Sequence, residues 1–350
     1  MNILADASLP GLKEAFPQPF QLNLYKSHVE LNDLLKNQDI LLCRANLKVD
    51  QALLANSALS YVATASSGSD NLDYTYLKNR NITVIDAKGC NATSVADYVL
   101  STIAFLDKAG LIKGKKLGIV GLGYVGSILY PRLKAAGFEL FCYDPPKALR
   151  DTSFSSCNKE SLYECDVLCI HAELHDNPPY SSRNLINESF LQNLKSKCLI
   201  INASRGGIVN EEAIENSPHI YCTDVYLNEP NINKDLIKRT TLCTPHIAGH
   251  SLEAKYAAIA IVSKKIHEHL GLALPPYSTP QKPKLVFSQQ LTWQKLALSL
   301  YNPFYETQLL KQSLEPKLTF LELRTQHSKR HDFCTYFNEQ LSNNIKNIFI

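Results

Sequence analysis

Three polar residues, Arg205, Glu229 and His246, lie downstream of a glycine-rich run at Gly121, Gly123 and Gly126. Together they supply what oxidation of a 2-hydroxy acid by a nicotinamide requires: a cation for the carboxylate, a base for the hydroxyl proton, and an acid to tune that base. Singly, each reads as ordinary. Arginines make surface ion pairs, most glutamates are solvated, and a histidine within Thr244-Pro245-His246-Ile247-Ala248-Gly249-His250 usually makes a structural hydrogen bond. Position changes this. Each of the three follows an apolar run that reads as a parallel strand, and open parallel sheets bind ligands beyond the carboxyl ends of their strands. Arg205 can also hold a carboxylate in a planar two-point contact that lysine would not reproduce.

The glycine run strengthens the argument because of where it falls. Leu117-Gly118-Ile119-Val120 reads as a buried strand, and Gly121-Leu122-Gly123-Tyr124-Val125-Gly126 follows directly, opening a helical pattern through Ile128, Leu129 and Leu133. In that setting the first glycine makes the tight turn, the second admits a pyrophosphate to the backbone, and the third lets helix pack on strand. The next strand ends in Asp144, whose carboxylate can accept both adenosine-ribose hydroxyls and would repel a 2'-phosphate. The cofactor expected is NAD.

The elements that must position these groups form two alternating series. Residues 2–5, 40–43, 61–65 and 83–85 read as strands separated by helices of roughly ten to fifteen residues. A helical pattern over 91–109 follows, with Val95, Val99, Ile103 and Leu106 on one face and Thr93 or Ser94 as its cap. Strands at 116–120, 140–143, 167–170, 199–202, 219–224 and 241–243 then supply a doubly wound sheet. A strong helix spans 251–271. Beyond it, residues 274–283 carry four prolines and read as a linker. The remainder, with the only Trp at 293, reads as an amphipathic helix near 291–300 and then mixed strand and helix, a segment short enough to need another subunit to pack against.

Composition narrows the alternatives. With 350 residues, 45% of them hydrophobic and 20% charged, the chain can bury a large core divided over two or three domains. A net charge of +3 without runs of one sign points away from nucleic acid, and no stretch reaches the roughly 18 apolar residues of a membrane span. The N-terminus has no secretory pattern, and the ten cysteines are scattered through strand-like segments. A reducing cytoplasm is the expected setting. Cys165 and Cys169 are the closest pair of thiols, but no His-rich partner motif accompanies them and no metal site is expected.

These residues resemble the D-isomer-specific 2-hydroxyacid dehydrogenases. The resemblance rests on Gly121 to Gly126, Asn202-Ala203-Ser204-Arg205-Gly206, Asp224-Val225-Tyr226 with Glu229-Pro230, and Pro245-His246-Ile247-Ala248-Gly249. A narrower likeness, to a branch acting on a phosphorylated four-carbon acid in pyridoxine synthesis, rests on residues 65–73, Lys88-Gly89-Cys90-Asn91-Ala92, Asp144-Pro145-Pro146 and Ser251-Leu252-Glu253-Ala254-Lys255. The resemblance implies an α/β fold of two doubly wound parallel-sheet domains: a flavodoxin-like substrate domain from 1–92 and 251–275, and a Rossmann NAD domain from 93–250. A small α+β dimerisation domain at 281–350 and a homodimer are implied as well.

By the same resemblance His246, Glu229 and Arg205 are catalytic. Gly121, Gly123, Tyr124, Val125, Gly126, Asp144, Ala172, Ala203, Ser204, Asp224 and Gly249 are then expected at the cofactor, and Ala45, Ser66, Arg205, His246 and His250 at the substrate. Three positions depart from the pattern: Ala45 stands where relatives have serine, His250 where they have tyrosine, and Ala172 lacks a hydroxyl offered to the cofactor. For the substrate phosphate, Arg44 and Lys48 are candidates, completed by Arg324 or Arg330 of a partner subunit. Rival readings are a dehydrogenase of phosphoglycerate, glycerate or lactate, and an NAD-sensing binding protein without catalysis.

Overall fold

A computed structural model describes residues 1–277, 291–327, 330–336 and 341–350. The expected linker at 274–283 lies largely outside the described residues. The chain divides into two compact units, one formed by residues 1–91 with the segment from 251, the other by 92–250 with the C-terminal segment.

In the first unit, β1 (Asn2–Asp6), β2 (Gln21–Tyr25), β3 (Ile40–Cys43), β4 (Tyr61–Thr64) and β5 (Thr83–Asp86) form a parallel sheet in the order β2-β1-β3-β4-β5. This is the expected flavodoxin-like order. Side chains alternate between faces along each strand. Ile3, Ala5, Ile40, Leu42, Ala63 and Ile85 pack with Ala258, Ile259, Val262 and Ile266 of the helix Leu252–His269. Leu4, Leu41, Cys43 and Val62 bury the opposite face. Both faces being covered, the strands read as unbroken apolar runs.

β2 was not expected. It is an edge strand whose residues are mostly half-exposed, so Gln21 and Asn23 interrupt the apolar signal. The intervening helices are also shorter than anticipated, four to six residues each. Local chemistry stops them: Asp50 and Asp73 cap two of their starts, and Asn37 and Asn81 turn the backbone left-handed (φ 63° and 55°) soon after two of their ends.

In the second unit, β6 (Lys116–Val120), β7 (Glu139–Tyr143), β8 (Val167–Ile170), β9 (Leu199–Asn202), β10 (Ile220–Thr223) and β11 (Leu242–Cys243) form a parallel sheet ordered β11-β10-β9-β8-β6-β7. The strand order reverses between β6 and β8, which is where such sheets take ligands. The helix Ala92–Lys108 is buried on more than the predicted face. Thr93 and Ser94 lie inside its first turn and do not precede it as caps.

What covers that helix is the C-terminal segment. Leu296, Ala297, Tyr301, Phe333, Ile348 and Phe349 share one core with Tyr98, Val99, Ile103 and the sheet, while Leu310, Phe320 and Leu323 join the core on the other face. Among the described residues the regular elements of this segment are all helices, where strands had also been expected. The segment from 282 groups with the second unit. Its described apolar residues complete the core of the second unit. A buried ion pair, Arg132 to Asp97 at 2.7 Å, lies at this junction, and Asp97 also accepts the Phe333 N–H at 2.8 Å.

Candidate active site

The second sheet delivers every expected cofactor and catalytic residue of its unit to one edge. Gly121 follows β6, Asp144 follows β7, Ala172 follows β8, Ala203, Ser204 and Arg205 follow β9, Asp224 and Glu229 follow β10, and His246 and Gly249 follow β11. The glycines behave as their spacing demands. Gly121 is left-handed at φ 91°, and a Cβ there would meet Ala172 N at 2.4 Å. At Gly126 it would meet Gly121 O at 2.2 Å, so the helix Tyr124–Ala135, opened by Tyr124 and Val125, can approach the turn only as glycine allows. At Gly123 a Cβ would meet nothing within 4 Å, leaving the middle of the turn open to a ligand. Asp144 is tied to the same turn: its carboxylate accepts Leu122 N at 2.8 Å and Lys147 N at 2.9 Å.

A second sign of an absent partner lies across the reversal point. Both ring nitrogens of His171, immediately after β8, have no hydrogen-bond partner among the described residues. Burial pushes the imidazole down to about 3, so it is neutral at physiological pH. Ala172 supplies no hydroxyl, but its carbonyl accepts the Ser204 hydroxyl, which binds the β8 and β9 loops together. The residues present fit a dinucleotide.

Beyond β10 and β11 the acid–base pair is assembled. His246 Nδ1 lies 2.7 Å from Glu229 Oε2, with the two side chains 33% and 19% exposed. Glu229 Oε1 accepts the Tyr226 N–H at 2.8 Å, which fixes the carboxylate plane. Burial pushes this carboxyl up, but the charge and hydrogen bond of His246, with the Tyr226 N–H, outweigh it and hold it below the usual glutamate range. His246 itself has a left-handed backbone, φ 55°, which is uncommon for a residue with a Cβ and requires surrounding contacts to sustain it.

Those contacts come from Asp224. Expected beside the nicotinamide, it is buried and spends both oxygens on the histidine loop: Oδ1 accepts Ile247 N at 2.8 Å and Thr244 Oγ1 at 2.6 Å, and Oδ2 accepts Ala248 N at 2.8 Å. Tyr98 Oη, 2.7 Å from Thr244 Oγ1, and Tyr226 Oη, donating to Thr244 O at 3.1 Å, extend the network. Thr244 and Tyr98 were not foreseen. Their hydroxyls sit in segments that read as strand end and helix face, and only the distant Asp224 gives them a purpose.

Arg205 reaches this pair through backbone packing. A Cβ on Gly206 would meet Tyr226 O at 2.0 Å, so the arginine loop lies directly on the carbonyl of the residue whose N–H holds Glu229. The guanidinium donates to Ser204 O at 2.9 Å, and Asn202 Nδ2 donates to Arg205 O at 3.0 Å. His250 follows with its ring 6.4 Å from that of His327.

In the first unit, Ala45 N donates to Ser66 Oγ at 3.0 Å, so these two substrate candidates are adjacent. Of the phosphate candidates, Arg44 pairs with buried Asp6 at 2.8 Å and Lys48 with Asp50 at 2.8 Å. Arg330 is not offered to a partner subunit: it is 8% exposed and bonds to Ser94 and Ala248 of its own chain. Arg324 lies over the Phe320 ring at 5.7 Å, and its charge contributes to lowering Glu229. The burial of Arg330 follows from the docking of the C-terminal segment on its own unit.

A dinucleotide turn and a histidine–carboxylate pair on one sheet edge, with an arginine beside them, define a nicotinamide-linked dehydrogenase of hydroxy acids. Residues 105–248 match the D-isomer specific 2-hydroxyacid dehydrogenase, NAD binding domain. The chain is 58% identical to the erythronate-4-phosphate dehydrogenase of Legionella pneumophila (strain Lens), covering 97% of each chain, and 34% identical to that of Coxiella burnetii (strain RSA 331 / Henzerling II), covering 95% of this chain and 93% of the other. Among solved structures, NAD-dependent formate dehydrogenase from Staphylococcus aureus, in complex with NAD, is similar in fold, with TM-score 0.63, 22% identity, and coverage of 77% and 96%. The chain belongs to the erythronate-4-phosphate dehydrogenase family within the D-isomer-specific 2-hydroxyacid dehydrogenases. It is an NAD-dependent oxidoreductase. Among the described residues, no helix is long and apolar enough to cross a membrane.

Proposed function

We propose that this chain oxidises 4-phospho-D-erythronate at C2 to (R)-3-hydroxy-2-oxo-4-phosphooxybutanoate, a step of pyridoxine synthesis, as a cytoplasmic homodimer whose C-terminal segment serves dimerisation. The observation that carries the reading is the 2.7 Å contact of His246 Nδ1 with Glu229, which leaves Nε2 as the nitrogen that takes the C2 hydroxyl proton. The Gly121–Gly126 turn, Asp144, and the loops of Ala172, Ala203, Ser204, Asp224 and Gly249 would hold NAD, which would supply the hydride acceptor. Glu229 orients the imidazole and balances its charge once the proton has arrived. Arg205 holds the substrate carboxylate. Ser66 and Ala45 are further substrate candidates, and His250 supplies a ring nitrogen where relatives have a tyrosine hydroxyl.

The test is reduced-nicotinamide absorbance with a panel of 4-phospho-D-erythronate, D-erythronate, 3-phosphoglycerate, D-glycerate and D-lactate. The reading expects the phosphorylated four-carbon acid to have the highest kcat/KM. Preference for another member would retain the dehydrogenase and overturn the substrate, and reduction with none would overturn both.

A further inference from the structure

The loop that carries His246 is held by two buried charges of opposite sign. Asp224 takes the N–H groups of Ile247 and Ala248, both at 2.8 Å. Arg330, in the C-terminal segment, gives Nη2 to the Ala248 carbonyl, to Ile247 O at 3.4 Å, and to the Oγ and O of Ser94, the latter at 3.3 Å. Ser94 Oγ in turn donates to Ala248 O at 3.0 Å. One peptide group, from the Ile247 carbonyl to the Ala248 N–H, is therefore bonded to the guanidinium at one end and the carboxylate at the other. Such a peptide is polarised along its length, and each bond strengthens the other.

A buried guanidinium is costly unless something compensates it. The Arg330 plane lies over the Tyr301 ring at 4.7 Å, while Nε and Nη1 have no hydrogen-bond partner among the described residues. Its polar contacts are thus concentrated on the catalytic loop and the Ser94 turn beneath it. The left-handed backbone of His246, one residue upstream, needs that kind of restraint to persist.

We propose that Arg330 is a positioning residue for His246, so that the C-terminal segment is a working part of the active site in its own chain. This rests on His246 being the base. The Ile247–Ala248 peptide is gripped from both ends, and release of the Arg330 end lets the imidazole drift from Glu229. A misplacement of about 1 Å at a reacting group can cost about a hundredfold in rate.

The experiment uses the full chain with R330M, R330K and S94A. Two readouts are taken: kcat and KM for the acid, and the far-downfield proton resonance of the His246–Glu229 hydrogen bond, which needs no substrate. R330M is expected to lower kcat by between about tenfold and about a hundredfold, to change KM little, and to broaden or abolish the resonance. R330K, which keeps a cation within reach of the Ala248 carbonyl, is expected to recover most of both. A folded R330M with wild-type kcat and a sharp resonance overturns the proposal. If R330M does not fold, S94A decides: loss of kcat with a broadened resonance supports the proposal, and wild-type values of both overturn it. Should no acid be turned over by the wild type, the functional reading fails. The resonance then judges Arg330 alone, with a sharp signal in the variant counting against it.

Discussion

Gly206→Ala offers a clean mechanical test of how Arg205, proposed to hold the substrate, is coupled to the His246–Glu229 pair. A Cβ at Gly206 would lie 2.0 Å from Tyr226 O, 2.1 Å from Tyr226 C and 2.5 Å from Leu227 N, all backbone atoms. Neither side can yield cheaply. The Tyr226 N–H is bonded to Glu229 at 2.8 Å and the Leu227 N–H to Glu211 at 2.7 Å. Since real Cβ contacts essentially never fall below 3.0 Å, the two loops must part by about 1 Å. Gly206 has no left-handed φ, so the effect is steric and not conformational. Overpacking of this kind costs about 1–3 kcal/mol of stability. A 1 Å shift between Arg205 and Glu229 should cost about a hundredfold in kcat, or about 2.7 kcal/mol of transition-state stabilisation. Steady-state rates at saturating NAD and acid, read beside urea midpoints, separate the two effects. Gly137→Ala is the control: it strains a left-handed residue at φ 89° with nothing within 4 Å, so it should lose about 1 kcal/mol of stability and no kcat. Folded Gly206→Ala with kcat within about threefold of wild type would refute the coupling.

Two further predictions concern pH. Glu229 is held below the ordinary glutamate value of 4.5, so its contribution to stability is present above 4.5 and is lost as pH falls through its lower folded value. Glu229→Gln should therefore unfold more readily than wild type near neutrality, and the gap should narrow in acid; a pH-independent gap in the denaturant midpoints would count against the ion pair. His171 shifts the other way from a paired histidine. Neutral when folded and protonated when unfolded, it costs stability as pH falls from 6.5 towards about 3, at up to about 1.4 kcal/mol per pH unit. His171→Leu should flatten that part of the stability curve, and an unaltered slope would show the ring to be solvated.

Much of this was legible from residue order because the two sheets are covered on both faces. Strands such as Val167–Ile170, and Leu199–Asn202 up to its last residue, are then apolar runs, and the residues after them are where ligands must sit. The glycine turn is readable for the same reason: three glycines at fixed spacing after a strand serve contacts that no Cβ permits. Edge strand β2 escaped notice because solvent replaces a neighbour on one side and polar residues intrude. The grip of Asp224 on the histidine loop was not legible because its partners, the Ile247 and Ala248 N–H groups, are backbone and leave no mark in the sequence. Arg330 was hidden by the same logic, with carbonyls as its acceptors and a helical tail as its setting. Local periodicity reports burial well, but which distant backbone a buried charge will grip is a property of the assembled unit.

The most direct test of the account is His246→Gln in single-turnover and steady-state reduction of NAD by 4-phospho-D-erythronate, with NAD affinity measured in parallel. Loss of about 10²–10⁴ in kcat, at unchanged NAD affinity, is the result predicted for a general base held by Glu229. Retention of kcat within about threefold of wild type would contradict it, and the proton would then have to leave by a route that does not involve this imidazole.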